Sequence, residues 1–308
     1  MKFKRYTLPA LLLAAIVFFA ACKKDYASIE EEDQQGIDAY MSQNSLTGFT
    51  LSNGIYYKVI KQGTGEELDY TKRVLAHYTV RSLDGRFSAV DTITLYNRFY
   101  NFFGYISLPG VREKQADAFR EVINEGLTRV GGEIRLVIPS RFAYGVSGYS
   151  SFPGYDNSLD LKGNSSLDVT VKIVASENTI AQYEEAVIKN HLGASINEFT
   201  KTASGLYYKI INPGTGSPIT RDSTVMAIYT GKFTNGKVFA SNDASNLLEA
   251  DLDGGVVKGW TEGLPFIKEG GSIRVVFPSS LGYGNGIDRG FPPFVPLDFE
   301  IRVTEVKP

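Results

Sequence analysis

The chain repeats itself, and the repeat limits the fold more than any other feature. Ile55-Tyr56-Tyr57-Lys58-Val59-Ile60 returns as Leu206-Tyr207-Tyr208-Lys209-Ile210-Ile211, an offset of 206 − 55 = 151. Gly63-Thr64-Gly65 returns as Gly214-Thr215-Gly216, and Tyr78-Thr79 as Tyr229-Thr230, at the same offset. Further on, Gly131-Gly132-Glu133-Ile134-Arg135 matches Gly270-Gly271-Ser272-Ile273-Arg274 at 270 − 131 = 139, and Ala143-Tyr144-Gly145 matches Gly282-Tyr283-Gly284. Leu167-Asp168-Val169 matches Leu297-Asp298-Phe299 at 297 − 167 = 130. A period this long means tandem domains rather than a solenoid of short repeats. The falling offset means that the first copy carries extra residues in its middle and near its end.

With 308 residues there is room for two domains of ordinary size. An apolar fraction of 43%, with 18 Tyr and 19 Phe, supports packed cores rather than disorder. The 34 acids and 32 basic residues nearly balance. This mildly acidic chain gives no reason to expect a nucleic-acid partner. Val74 to Thr79 and Val225 to Thr230 are rich in β-branched and aromatic residues and predict strands. Leu83-Asp84-Gly85-Arg86 and Thr234-Asn235-Gly236-Lys237 predict hairpins, since Asp-Gly and Asn-Gly supply positive φ. Ile134 to Ile138, Val169 to Val174, Val275 to Phe277 and Leu297 to Val303 predict further strands, and Glu113 to Asn124 and Ile180 to His191 predict amphipathic helices.

The N-terminus reads as a targeting segment. Lys2, Lys4 and Arg5 precede an apolar stretch, Leu8 to Ala21, which is shorter than a membrane span needs. Phe19-Ala20-Ala21-Cys22 resembles a bacterial lipobox, and Cys22 is the only cysteine. Lipidation at Cys22 accounts for a lone Cys in an exported chain. The charged residues 23–35, including Glu30-Glu31-Glu32-Asp33, read as a solvated tether. The division expected is a signal peptide at 1–21, a tether at 22–35 and a divergent domain at 36–176. A linker helix at 177–195 and a second domain at 196–308 follow.

The second copy holds three runs in a telling order. They are Gly255-Val256-Val257-Lys258-Gly259-Trp260-Thr261-Glu262-Gly263-Leu264, Leu281-Gly282-Tyr283-Gly284 and Phe291-Pro292-Pro293. Together they resemble the FKBP-type peptidyl-prolyl cis/trans isomerases. The resemblance implies an α+β fold with two FKBP-like domains, each a curved antiparallel half-barrel sheet wrapped around a short helix. It implies isomerisation of X–Pro bonds with no cofactor and no metal. Rotation about a peptide bond is slow because the planar form lies ~20 kcal/mol below the twisted one. A dry apolar cavity can favour the less charge-separated twisted amide without a nucleophile or strong base.

The resemblance carries over residue by residue in the second copy. Trp260 matches the pocket floor, and Tyr229 and Phe239 the walls. Tyr283 matches the Tyr whose hydroxyl reaches a substrate carbonyl, and Phe299 the aromatic on the last strand. Val256 and Val257 match the pair before the helix, where the Val257 amide would bond a substrate carbonyl. Phe291 matches the apolar residue before the Pro-Pro turn, and Leu248 stands where the family has a wall Phe. The family's Phe-Asp-Ser reads Phe239-Ala240-Ser241 here, so a carboxylate that contacts the substrate is missing.

The first copy departs further. Counting back from Gly126, Ile123 takes the Trp position; the nearest Phe-Asp candidate is Val90-Asp91, and Phe152-Pro153 replaces Phe-Pro-Pro before a polar insert, Gly154 to Ser165. This predicts a degenerate, weak or inactive copy. Its aromatic insert, Leu95 to Tyr105, either covers its own barrel or forms an exposed peptide-binding lip. His77 and His191 lie in no carboxylate cluster, and the Gly-x-Gly runs precede strands, so neither a metal site nor a phosphate loop is expected.

The expected function is isomerisation of X–Pro bonds in exported proteins, mainly by the C-terminal domain. The alternatives are a non-catalytic peptide-binding or chaperone lipoprotein and a surface scaffold. Partners would be proline-containing segments of exported proteins, and the membrane through Cys22. The expected location is the cell envelope, on the periplasmic side of the outer membrane or at the surface.

Overall fold

The computed structural model of the chain describes residues 27–90, 97–150, 160–286 and 291–307. The targeting segment with Cys22, the Asp91 of the Phe-Asp candidate, Leu95-Tyr96 of the aromatic insert and Phe152-Pro153 lie outside those residues.

The first unit runs α1 (Ile29–Gln43), β1 (Thr50–Ser52), β2 (Ile55–Lys61), β3 (Arg73–Ser82), β4 (Ser88–Val90), β5 (Arg98–Phe102), α2 (Glu113–Gly126), β6 (Glu133–Ile138) and β7 (Leu167–Ser176). The second runs α3 (Ile180–Leu192), β8 (Thr200–Lys201), β9 (Tyr207–Asn212), β10 (Thr224–Phe233), β11 (Val238–Ser241), β12 (Leu248–Asp251), α4 (Lys258–Gly263), β13 (Ser272–Phe277) and β14 (Leu297–Lys307). One sheet has the order β1-β2-β6-β7-β3-β4 with β5 on β3; the other has β8-β9-β13-β14-β10-β11 with β12 on β10. The two orders correspond strand for strand, and the described pairings are antiparallel. The duplication is therefore one of topology as well as of sequence.

Each sheet is open and curved. The long central pair carries a bulge between Leu75 and Ala76 in the first unit and between Met226 and Ala227 in the second, the same place at 226 − 75 = 151. A bulge bends and twists its strand, which curls the sheet around the helix on its inner face. Alternation puts Leu297, Phe299, Ile301 and Val303 of β14 inside the core. There they meet Trp260 of α4. In the first unit Phe119, Val122 and Ile123 of α2 fill the same position.

The tether reading fails for residues 29–35, which are helical. Ser28 caps α1: its Oγ accepts the Glu31 amide at 3.3 Å, and the Glu31 carboxylate accepts the Ser28 amide at 2.8 Å. The acidic run supplies the first turn, where the helix dipole favours negative charge. Asp33 is buried and accepts from Ser140 Oγ at 3.0 Å and Ser166 Oγ at 2.7 Å.

The helix predicted over 177–195 forms as α3 and packs on both units, and it is more than a linker. Ile29, Asp33, Ile37 and Tyr40 of α1 stand 151 residues before Ile180, Glu184, Ile188 and His191 of α3 (180 − 29, 184 − 33, 188 − 37 and 191 − 40). Their contacts match as well. Asp33 bonds Ser140 and Glu184 accepts the Ser279 amide at 2.8 Å, with 279 − 140 = 139. Each repeat thus opens with a docked helix, and the second repeat begins at α3.

Candidate active site

A cavity of about 180 Å³ opens on the concave face of the second sheet. Tyr229, Phe239, Leu248, Val256, Val257, Trp260, Tyr283 and Phe299 line it together with Ala240 and Gly255. Every residue named for this pocket from sequence lies there except Phe291, which stands behind the wall. Phe291 stacks on Tyr283 at 3.8 Å between ring centroids and meets Phe239 edge-on at 5.4 Å.

The rings are held by one another. Trp260 meets Tyr229 at 5.3 Å and Phe299 at 5.5 Å, with interplanar angles of 78° and 88°. Phe239 meets Phe299 at 5.5 Å and 88°. Such edge-to-face pairs suit the aromatic quadrupoles, each worth about 0.5–1.5 kcal/mol beyond burial. The Trp260 Nε1 is buried with no hydrogen-bond partner among the described residues, so the indole offers apolar surface rather than a donor.

Two glycines make the arrangement possible. A Cβ on Gly231 would lie 2.7 Å from Phe299 and 2.8 Å from Phe239. A Cβ on Gly259 would lie 2.4 Å from the Phe277 ring, so α4 could not lie so close to the sheet. Val257 is the N-cap of α4 with extended backbone (φ −68°, ψ 145°), so its amide lies outside the helix's own ladder. Ala240 pairs with Gly231 on the neighbouring strand and lines the cavity, at the place of the absent carboxylate.

Among the described residues, the first unit forms no such aromatic chamber. Val80 occupies the position of Gly231 (231 − 80 = 151) and is fully buried. Val169 pairs with Val80 as Phe299 pairs with Gly231, so an aliphatic residue replaces that ring. Aligned on Gly126 and Gly263 (263 − 126 = 137), Ile123 replaces Trp260 and Arg120 falls at the position of Val257. Arg120 lies well inside α2, where its amide serves the helix ladder. Tyr144, the counterpart of Tyr283, donates its hydroxyl to the Pro109 carbonyl at 2.8 Å and stacks on Tyr149 at 4.9 Å. Burial, with Tyr78 and Tyr149 nearby, pushes the Tyr144 phenol far above its usual range. Phe103 of the insert, with Ile106 and Leu108 just after it, sits in the core.

The described part of the aromatic insert covers its own sheet only in part. β5 pairs with β3, while Tyr100 reaches Phe294 of the second unit at 4.5 Å, edge to face. Arg98 donates to the carbonyls of Pro293 at 2.9 Å and Phe294 at 3.3 Å. These cross-unit contacts had no signal in the sequence. Glu184 was also missed, although its match to Asp33 at the repeat offset marked it. Among the described residues no group of His, Cys, Asp and Glu could hold a metal ion, and no helix is long and apolar enough to cross a membrane.

Residues 216–304 match the sequence profile of the FKBP-type peptidyl-prolyl cis-trans isomerases. The match lies within the second unit and takes in every residue that lines the cavity. It is 39% identical over 148 residues to a probable FKBP-type peptidyl-prolyl cis-trans isomerase of Haemophilus influenzae, covering 46% of this chain and 61% of the relative. It is 40% identical over 110 residues to FkpA of Escherichia coli K12, covering 35% of this chain and 40% of the relative. The chain thus spans less than two thirds of the length of these curated relatives. Among solved structures, E. coli FkpA is similar at 34% identity and a TM-score of 0.38, over 43% of this chain and 62% of that one. A Pseudomonas syringae peptidyl-prolyl isomerase is similar at 27% identity and a TM-score of 0.38, over 44% and 98%.

Proposed function

We infer that the C-terminal unit is a peptidyl-prolyl cis/trans isomerase and that the N-terminal unit is not. One observation carries this reading. Tyr229, Trp260, Phe299 and Phe239 form an unbroken chain of edge-to-face contacts along a small apolar cavity, and the first unit replaces three of the four. A proline ring seated on Trp260 would lose its water, and the adjoining imide would enter a low-dielectric space. The twisted imide, with less charge separation than the planar one, gains there relative to the ground state. The Val257 amide and the Tyr283 hydroxyl are the polar groups placed to hold carbonyls beside the rotating bond. Nothing in this scheme needs a nucleophile or a cofactor.

Clients would be proline-containing segments of exported proteins, with the chain tethered to the envelope membrane at Cys22. This extension rests on the charged and apolar N-terminal stretch ending in Phe19-Ala20-Ala21-Cys22. A second reading, a peptide-binding chaperone with little turnover, is favoured by one observation, Ala240 at the cavity edge. Magnetisation-exchange NMR on an Xaa-Pro peptide separates the two. Catalysed exchange supports the isomerase; peptide binding without exchange supports the chaperone.

A further inference from the structure

We propose that Arg98, in the N-terminal unit, is a positioning residue for the cavity of the C-terminal unit. The proposal rests on reading that cavity as the isomerase site. Arg98 sits on β5, inside the insert that has no counterpart of equal length in the second copy. Its guanidinium reaches out of its own unit and donates to two successive carbonyls, those of Pro293 and Phe294. These carbonyls belong to the turn that follows Phe291.

That turn is held in a conformation it would not choose alone. Phe294 has φ +51°, a left-handed backbone that a bulky residue rarely adopts. Its ring leaves its own unit and packs with Leu75 and Ala175 of the first unit and Ile180 of α3, under the edge of Tyr100. A guanidinium is well suited to this task, because its charge is permanent and its donors are fixed in a plane.

The turn also connects directly to the cavity wall. The Phe294 amide bonds the Gly284 carbonyl at 3.0 Å, next to Tyr283. The Phe291 amide bonds the Gly286 carbonyl at 3.2 Å, and the Phe291 ring stacks on Tyr283. The path from Arg98 to the wall is therefore Pro293 and Phe294, then Gly284, Tyr283 and Phe291. The N-terminal unit thereby braces the rim of its neighbour's chamber.

Single-residue hydrogen exchange by NMR on the full chain tests this without reference to turnover. In Arg98→Ala the Phe291 and Phe294 amides should exchange at least ~10-fold faster, as expected when a local contact is released. Amides within β13 and β14 should stay as protected as before. Arg98→Lys should keep most of the protection, and kcat/KM toward an Xaa-Pro peptide should fall about fivefold in Arg98→Ala, carried by KM. Unchanged exchange at both amides in a folded Arg98→Ala chain overturns the proposal. If that variant does not fold, Tyr100→Leu removes the ring over Phe294, and unchanged rim exchange there overturns it equally. A wild-type chain with no turnover, whose rim still loosens in Arg98→Ala, would overturn the isomerase reading and uphold the brace.

Discussion

His191 Nε2 lies 2.7 Å from a carboxylate oxygen of Asp298, which Arg274 also grips through Nε at 3.0 Å and Nη2 at 2.7 Å. The first repeat has the same device with a different helix residue. There Tyr40 donates to Asp168 at 2.7 Å, and Arg135 holds that carboxylate from the other side. Each repeat thus locks its opening helix onto a buried Asp that a half-buried Arg holds at the sheet.

This lock predicts the proper boundary of the C-terminal unit. A fragment beginning at residue 196 loses α3, leaving Asp298 without His191 and the Ser279 amide without Glu184. It should be less stable than a fragment beginning at residue 177 by about 3–6 kcal/mol, from two lost charge-assisted hydrogen bonds. Urea unfolding of the two fragments, followed by Trp260 fluorescence, measures the difference. Burial opposes the Asp298 charge, but the hydrogen bonds from His191 and Arg274 outweigh it and hold the carboxyl below its usual range. Asp298 therefore contributes stability above about pH 4, lost as pH falls through its depressed folded value. Asp298→Asn should flatten that acid limb.

A second pH dependence lies in the first unit. His77 on β3 contacts the Tyr183 hydroxyl at 3.2 Å, joining the sheet to α3. Burial, then the charges of Arg98 and Lys172, push its imidazole down to about 2. Between that value and its unfolded value near 6.5, only the unfolded chain takes up the proton, so acidification destabilises the fold. From pH 7.5 to 5.5 the loss should be about 1.4 kcal/mol. His77→Gln should remove this loss, as urea titrations at the two pH values would reveal.

Ala240→Asp restores a carboxylate at the cavity edge. It should raise kcat/KM about tenfold, the equivalent of ~1.4 kcal/mol in the transition state, provided that Tyr229 hydrogen-bonds the new group. Turnover that is unchanged or lower in a folded variant would shift weight to the peptide-binding reading.

Cys22→Ser should abolish acylation. Metabolic labelling with a fatty acid should mark the wild-type chain alone; a labelled variant would exclude Cys22 as the anchor.

The repeat, the strands and the cavity walls were legible because they follow local rules. β-branched runs form strands, Asn-Gly and Asp-Gly turn, and a short Gly-rich helix carrying Trp260 packs against a sheet. The sequence predicts a short helix around Ile37 to Met41, but the first half of α1 was hidden by its own acids: four consecutive carboxylates read as solvated chain, while in the fold they occupy the end of the helix that favours negative charge. Glu184 was hidden in a similar way, since an acid on a helix is ordinarily turned to water. Its partner is a backbone amide donor 95 residues on, and apart from the repeat match to Asp33 no side-chain pattern announces such a donor. The Arg98 contacts were beyond reach for the same reason, as both acceptors are carbonyls about 195 residues away.

The central claim is that turnover depends on the aromatic chamber of the second unit and not on the first unit. The most direct test measures cis/trans exchange of an Xaa-Pro peptide by NMR with the full chain, Trp260→Leu and Tyr144→Phe. The account predicts catalysis by the full chain and by Tyr144→Phe, and at least a ~10-fold loss in Trp260→Leu, more than ~1.4 kcal/mol of transition-state stabilisation. Catalysis that survives in a folded Trp260→Leu chain but disappears in Tyr144→Phe would contradict it.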